Sequence, residues 1–71
     1  MKFNLTLDCD NSAFKDDNDP GKDLYACMDE VARILREVAM HVTGGSVARI
    51  LYDSNGNVCG RFILDENPDG L

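Results

Sequence analysis

Polar and apolar side chains alternate at the start of the chain. Phe3, Leu5 and Leu7 are each followed by a polar residue. A period of two places the apolar side chains on one face of an extended strand. The pattern predicts a first strand over residues 2–8 with one buried face.

A helical period follows between two sets of helix-end residues. Asp19-Pro20 is typical of a helix start, because Asp accepts unpaired amide hydrogens and Pro is tolerated at the first position. Gly44-Gly45 is typical of a helix end, because glycine adopts the left-handed conformation there. Between these ends, steps of four and three relate Leu24, Met28, Val31, Leu35, Val38 and Val42, with Cys27 and Ile34 beside them. The pattern predicts a helix that packs this stripe on a sheet, since the segment is too short for a coiled coil.

Two β-prone segments in the last third of the chain flank the sequence Asp-Ser-Asn-Gly-Asn. Asn-Gly between such segments is a strong hairpin signal. The pattern therefore predicts strands over residues 46–52 and 58–64, with Asn55 and Gly56 as a two-residue turn.

This turn fixes how the two hairpin strands pair. It places Leu51 opposite Gly60 and Arg49 opposite Phe62. One face then carries Val47, Leu51, Val58, Phe62 and Leu64, and the other carries Ala48, Ile50, Tyr52, Cys59 and Ile63. Both faces of the predicted hairpin are largely apolar.

The elements combine into one α+β domain over residues 1–64, with the order β-α-β-β and one helix packed on a three-stranded, mostly antiparallel sheet. Placing the third strand in the middle makes every pairing antiparallel. Residues 65–71 are expected to form a mobile acidic tail.

One helix covers only one face of the sheet, so the other face is a candidate homodimer or partner contact, or carries only scattered surface residues. Its candidate contact residues are Ile50, Tyr52 and Ile63.

The segment from Cys9 to Gly21 has the composition of a loop. Phe14 is its only large apolar residue and is expected to pin the loop to the core. Its carboxylates match a calcium loop only in part, because Ala13 stands where glycine is required and Asp19 where a bidentate Glu is usual. We therefore expect a solvated acidic loop, with calcium binding as the alternative.

The charge of the chain narrows the classes of function. Thirteen Asp and Glu residues against seven Lys and Arg residues give a formal charge of −6. This charge opposes direct nucleic-acid binding, which depends on cations at the phosphates. It favours a basic protein surface, including a groove that nucleic acid normally fills, although acidity also serves solubility alone. The candidate partner-binding carboxylates are Asp8, Asp10, Asp16, Asp17, Asp19, Asp29 and Glu30.

No arrangement of residues indicates an enzyme, a metal site or a cofactor. Cys9, Cys27 and Cys59 lack the close pairing of structural zinc sites. Cys27 and His41 share the predicted helix at a separation of about 21 Å, too far for a nucleophile and its base. We therefore expect a binding protein without catalytic residues.

The cysteines and the first residues also bear on the compartment. An odd number of cysteines at irregular spacing favours an environment that keeps thiols reduced. The N-terminal residues contain no apolar run as long as a signal peptide or a membrane span. We expect a cytoplasmic location and no membrane partner.

Three segments of the chain are similar to small proteins encoded by bacteriophages and prophages. They are Asp-Asn-Ser-Ala-Phe over residues 10–14, Ala-Arg-Ile-Leu-Arg-Glu over residues 32–37 and Asp-Ser-Asn-Gly-Asn over residues 53–57. The resemblance implies a phage origin, and short acidic phage proteins include anti-CRISPR inhibitors that occupy basic grooves of a CRISPR effector. The longer, more acidic loop from Lys15 to Gly21 departs from the pattern. The resemblance thus implies an anti-CRISPR-type inhibitor in the host cytoplasm, with a homodimeric structural or regulatory phage protein as the alternative.

Overall fold

The structure is a computed structural model, and it describes residues 1–67. It contains strand β1 (Lys2–Leu7), helix α1 (Asp23–Thr43), and strands β2 (Ala48–Tyr52) and β3 (Val58–Asp65). Two short 3-10 turns, Ser12–Phe14 and Pro20–Lys22, lie between β1 and α1. The strand order is β1-β3-β2 with both pairings antiparallel. The predicted α+β class, the β-α-β-β order and the central third strand are confirmed.

The domain boundary differs slightly from the expected one. Asp65 is the last residue of β3 and lies opposite Lys2 of β1. The sheet therefore extends one residue into the segment predicted as a mobile tail. Residues 68–71 of that segment lie outside the described residues.

The helix begins three residues later than Asp19-Pro20 indicates. The Asp19 side chain accepts a hydrogen bond from the Gly21 amide at 3.0 Å, so it caps the 3-10 turn that precedes α1. At the other end, Gly45 has a φ of 97°, and the Ser46 amide donates to the His41 carbonyl at 2.9 Å. This left-handed ending uses the predicted glycine pair and satisfies a carbonyl of the last turn.

The hairpin has the predicted register but a different turn. Leu51 lies opposite Gly60 and Arg49 opposite Phe62, as predicted. The Gly56 amide donates to the Asp53 carbonyl at 3.0 Å, so Ser54 and Asn55 form the centre of the turn. Gly56 follows in the left-handed conformation with a φ of 82°. The prediction of a two-residue Asn55-Gly56 turn is wrong.

A β-bulge reconciles this turn with the register. Tyr52 lies opposite Val58, whereas Leu51 lies opposite Gly60, which leaves Cys59 as an extra residue in β3. Cys59 is consequently buried in the core, and Val58 is exposed. The predicted faces of these two residues are therefore wrong, because one inserted residue reverses the alternation of side chains.

The core lies between α1 and the inner face of the sheet. Its buried members are Phe14, Ile34, Val38, Leu51, Cys59 and Phe62. Phe62 of the central strand stacks on Phe3 of β1, with the ring centroids 5.6 Å apart. Phe14 is fully buried, which confirms that it pins the loop to the core.

Helix α1 is rotated relative to the predicted stripe. Ile34 and Val38 are buried and Cys27 packs beside them, whereas four of the six stripe residues are exposed, namely Leu24, Met28, Leu35 and Val42. The prediction that the whole stripe faces the sheet is therefore wrong. Apolar residues cover an arc of α1 wider than three short strands can bury, so the sheet contacts one part of the arc and the other part is left exposed.

Candidate functional site

Several parts of the chain meet at one end of the sheet. The Asp8 amide, just after β1, donates to the Cys59 carbonyl at 2.6 Å. In the loop that follows, the Asn11 side chain donates to the Asp53 carboxylate of the hairpin at 2.9 Å. The Ser54 amide donates to the Glu30 carboxylate of α1 at 2.7 Å. These bonds hold the loop, the hairpin turn and the N-terminal half of α1 together.

We call the carboxylates gathered here the acidic end, defined as Asp8, Asp10, Asp16, Asp17, Asp19 and Asp23. Asp16 and Asp23 are half-buried and the other four are exposed. Residues 8–30 contain eight acidic and two basic side chains, so their formal charge equals the −6 of the whole chain. The net charge is therefore concentrated in one segment.

Four of these carboxylates hold the loop in shape. Asp8 accepts from the Asp10 amide at 3.1 Å, and Asp16 accepts from the amides of Asn18 and Asp19 at 2.9 and 3.0 Å. Asp23 accepts from the Asp16 amide at 2.9 Å, and Asp19 binds Gly21 as described above. Such side-chain-to-backbone bonds pre-organise a loop. Among residues 1–67, Asp10 and Asp17 accept no backbone hydrogen bond, so their charges are not committed to the turn structure.

Asp8 and Asp10 form a pair of like charges. The Asp8 side chain raises the pKa of Asp10, through a hydrogen bond and through charge repulsion, and Lys15 opposes this shift only as a lesser cause. A cation placed beside the two carboxylates would relieve the repulsion. The pair is therefore a favourable position for an ammonium or guanidinium group of a partner.

Asp29 and Glu30 are adjacent in α1 but have different surroundings. Asp29 is exposed, about 9 Å along the helix from Asp23. Glu30 is 7% exposed, and its carboxylate binds Nε of Arg33 at 2.6 Å in addition to the Ser54 amide. Arg33, and secondarily the Ser54 amide, lowers the pKa of Glu30 against the opposing effect of burial. Glu30 therefore does not belong to the exposed acidic surface, contrary to expectation.

Asp53 is a second buried carboxylate and is absent from the predicted site. It is 5% exposed, and one of its oxygens accepts from the amides of Asn55 and Asn57 at 2.9 and 3.0 Å. Its other oxygen accepts from Asn11 across the end of the sheet. An Asp two residues before Asn-Gly is a typical turn former, so the sequence did contain this signal.

The outer face of the sheet is partly apolar and carries a central cation. Ile50, Tyr52 and Ile63 are about half exposed, as expected for a face without a covering helix. Arg61 lies on this face between Thr6 and Ile50, in a shallow groove of about 690 Å³. The face therefore combines apolar and basic chemistry, in contrast to the acidic end.

The three cysteines lie close together, although they are far apart in sequence. Burial raises the pKa of Cys9 to about 11, with a hydrogen bond to Cys27 as the next cause. Burial likewise raises the pKa of Cys59. Cys9 and Cys59 are therefore protonated at neutral pH, and a protonated thiol is a poor nucleophile.

The described residues contain no group of three His, Cys, Asp or Glu side chains arranged to hold a metal ion. Most carboxylates of the proposed calcium loop instead accept backbone hydrogen bonds. Within residues 1–67, no helix combines the length and apolar character needed to cross a bilayer.

Comparison with known proteins gives no match. No family model fits the sequence, and no curated protein or solved structure shows significant similarity to it. The resemblance to phage-encoded proteins therefore stays a prediction, and functional inference depends on the geometry and charge of the chain.

Proposed function

We propose that this chain is a non-enzymatic inhibitor of the anti-CRISPR type, encoded by a phage or prophage and acting in the bacterial cytoplasm. Its acidic end would enter a basic groove of a host CRISPR effector and block the binding of target DNA. The observation that carries this proposal is the concentration of six aspartates, against only two lysines, in residues 8–23.

The acidic end has the properties that competition with DNA requires. Double-stranded DNA presents about one negative charge per 1.7 Å of its axis, so a competitor needs several closely spaced anions. Asp8, Asp10, Asp17 and Asp19 provide exposed carboxylates within one short loop. Because turn hydrogen bonds already order this loop, binding costs less conformational entropy than it would for a flexible acidic tail.

The test measures binding of target DNA by a CRISPR effector with and without the protein, across effector types. Inhibition of DNA binding that weakens as salt is added supports the proposal, because charge pairing at an exposed surface is screened. Unaltered DNA binding across these effectors contradicts it.

Two double variants distinguish the effect of the acidic end on inhibition from the effect of net charge alone. Asp10→Asn/Asp17→Asn removes two carboxylates that accept no described backbone bond, so the loop is retained. At about 0.2–1 kcal/mol per exposed ion pair, inhibition is expected to weaken about 2- to 30-fold. The control Asp65→Asn/Glu66→Gln removes the same charge elsewhere and is expected to inhibit like the unmodified protein. Equal effects of the two variants would contradict a role for the acidic end.

A second candidate function follows from the exposed outer face of the sheet. A homodimeric structural or regulatory phage protein would use Ile50, Tyr52 and Ile63 as its interface. Light scattering tests this hypothesis: a dimer that Tyr52→Asp dissociates supports it, and a monomer, or a dimer unaffected by this substitution, contradicts it.

A further inference from the structure

An apolar stripe on one side of α1 has no partner within the described chain. Leu24 is 68% exposed, Met28 58%, Leu35 45% and Val42 43%. Helical geometry places the small side chains of Ala32 and Ala39 beside them. We call these six residues the α1 flank. Large apolar side chains aligned over about five turns are typical of a helix that packs on another helix.

We infer that the α1 flank binds the α1 flank of a second copy of this chain, with the two helices antiparallel. The resulting homodimer would have twofold symmetry, in which the same surface of each copy contacts the other. The inference is independent of the proposed function, because it concerns a surface other than the acidic end.

The α1 flank is self-complementary in the antiparallel direction. Centring the twofold axis on residue 33 places Leu24 opposite Val42. The same centre places Leu35 within about one residue of Ala32, and Met28 within about one residue of Ala39. Antiparallel pairing therefore matches members of the α1 flank in one copy with members of the α1 flank in the other.

The charged residues beside the α1 flank favour its binding to a second copy, and they favour the antiparallel direction of the two helices. Asp29 and Arg36 are exposed, seven residues apart and therefore on the same side of the helix. Neither forms a salt bridge within residues 1–67. In the antiparallel register, Asp29 of each copy lies within about one residue of Arg36 of the other. A parallel twofold pair would instead place the Asp29–Arg36 edges of the two helices on opposite sides of the interface, where neither charge meets its opposite.

The length of α1 suits this pairing. The helix has 21 residues and is therefore about 31 Å long. An apolar flank along a helix of this length is suited to helix pairing at a shallow crossing angle. Small residues such as Ala32 and Ala39 allow the two helix axes to approach.

The outer face of the sheet is a poorer surface for self-association. A twofold axis through its centre would bring Arg61 of the middle strand close to Arg61 of the second copy. Two facing guanidinium groups repel each other unless a carboxylate lies between them. The α1 flank brings opposite charges together, so the geometry assigns the dimer to the helix.

The dimer has a consequence for the acidic end. This surface lies at the N-terminal end of α1, so antiparallel helices carry the two acidic ends at opposite ends of the helix pair. The assembly would be bivalent, with acidic surfaces separated by roughly the length of the helix, about 31 Å.

The first test is light scattering across a concentration series of the full chain. The expected result is a dimer that Leu35→Asp converts to a monomer. The dissociation constant should rise at least about 100-fold, because each copy would bury an unpaired carboxylate close to the twofold axis. Tyr52→Asp on the sheet is the matched control and should remain dimeric, and circular dichroism verifies that both variants fold. A monomer at every concentration, or a dimer that only Tyr52→Asp dissociates, would overturn the inference.

Charge exchange provides the second test and does not depend on removing an apolar side chain. Asp29→Arg and Arg36→Asp should each weaken the dimer, because each places like charges across the interface. The double variant Asp29→Arg/Arg36→Asp should restore it, because opposite charges face each other again. A double variant as weak as the two single variants would contradict the antiparallel arrangement.

Discussion

Glu30 and Asp53 are buried carboxylates that connect segments far apart in the sequence. Glu30 joins α1 to the hairpin turn through Ser54, and Asp53 joins that turn to the preceding loop through Asn11. Both have hydrogen-bond donors at their oxygens, which offsets the cost of burying a charge. Part of the acidity of this chain therefore stabilises the fold and is not presented to a partner.

Glu30 supplies a prediction about stability and pH. Arg33 and Ser54 hold its pKa below the ordinary value of 4.5. Its stabilising contribution is therefore complete above that pH and is lost as the pH falls through the lowered folded-state pKa. Glu30→Gln is expected to reduce the free energy of unfolding at neutral pH by about 1–3 kcal/mol, measured by urea denaturation.

The control for this prediction is Glu37→Gln. Glu37 also binds Arg33, at 2.9 Å, but its side chain is half exposed. A change below about 1 kcal/mol is expected for such an exposed pair. An effect of Glu30→Gln that stays constant into the acid range, or a control effect as large, would contradict the role of Glu30.

At the scale of the elements, the hairpin shows what local sequence can and cannot predict. Asn-Gly indicated the hairpin correctly and the register up to Leu51, but the turn is centred on Ser54 and Asn55 and the register shifts at Tyr52. The Asp53 side chain accepts two amide hydrogens within the turn and so stabilises this form. The bulge at Cys59 was not predictable, because it depends on packing that thiol into the core.

The helix shows a different limit of the sequence. Its existence and glycine ending were predicted because helical period and glycine preferences act locally. The rotation of the helix relative to the sheet was not predicted, because apolar residues extend around α1 from Cys27 and Ile34 on one side to Leu24 and Leu35 on the other. Only the tertiary contacts with the sheet determine which part of that arc is buried.

Gly60 supplies a prediction about the pairing of β1 with β3. A Cβ at this position would overlap the carbonyl oxygen of Thr6, a backbone atom that can move only if β1 moves. Gly60→Ala is expected to cost about 1–3 kcal/mol or more and to speed hydrogen exchange of the amides in β1.

Gly45→Ala is the comparison for Gly60→Ala. No atom lies within 4 Å of a Cβ at Gly45, so only its φ of 97° opposes the substitution. It should cost about 1–2 kcal/mol without faster exchange in β1. Unchanged exchange in the Gly60→Ala variant would show that β1 accommodates the added methyl group.

At the scale of the whole molecule, the acidic end lies apart from the exposed apolar surfaces. The acidic end carries six aspartates, the outer sheet face combines apolar residues with Arg61, and the α1 flank is uncharged. The composition revealed the acidity, but the spatial separation arises because β1, the loop and the N-terminal half of α1 end at the same edge of the sheet. The candidate carboxylates were thus predicted by residue type, and their grouping required the fold.

This separation predicts how stability depends on salt. Like charges crowded into one loop repel each other in the folded chain. The pKa of Asp10 is raised first by a hydrogen bond to Asp8 and then by the charge of Asp8. The distance over which charges interact, the Debye length, falls from about 30 Å at 0.01 M salt to about 10 Å at 0.1 M. Added salt should therefore raise the melting temperature over this range. Because the folded-state pKa of Asp10 is raised, this destabilisation is present at neutral pH and is relieved as the pH falls through that pKa.

Two variants distinguish local crowding from net charge as the source of the repulsion. Asp10→Asn/Asp17→Asn should melt at a higher temperature than the unmodified chain in low salt and respond less to added salt. Asp65→Asn/Glu66→Gln lowers the net charge equally but leaves the acidic end intact, so it should retain the salt response. If both variants respond alike in calorimetric melts, the repulsion belongs to the molecule as a whole and the acidic end is not a distinct electrostatic feature.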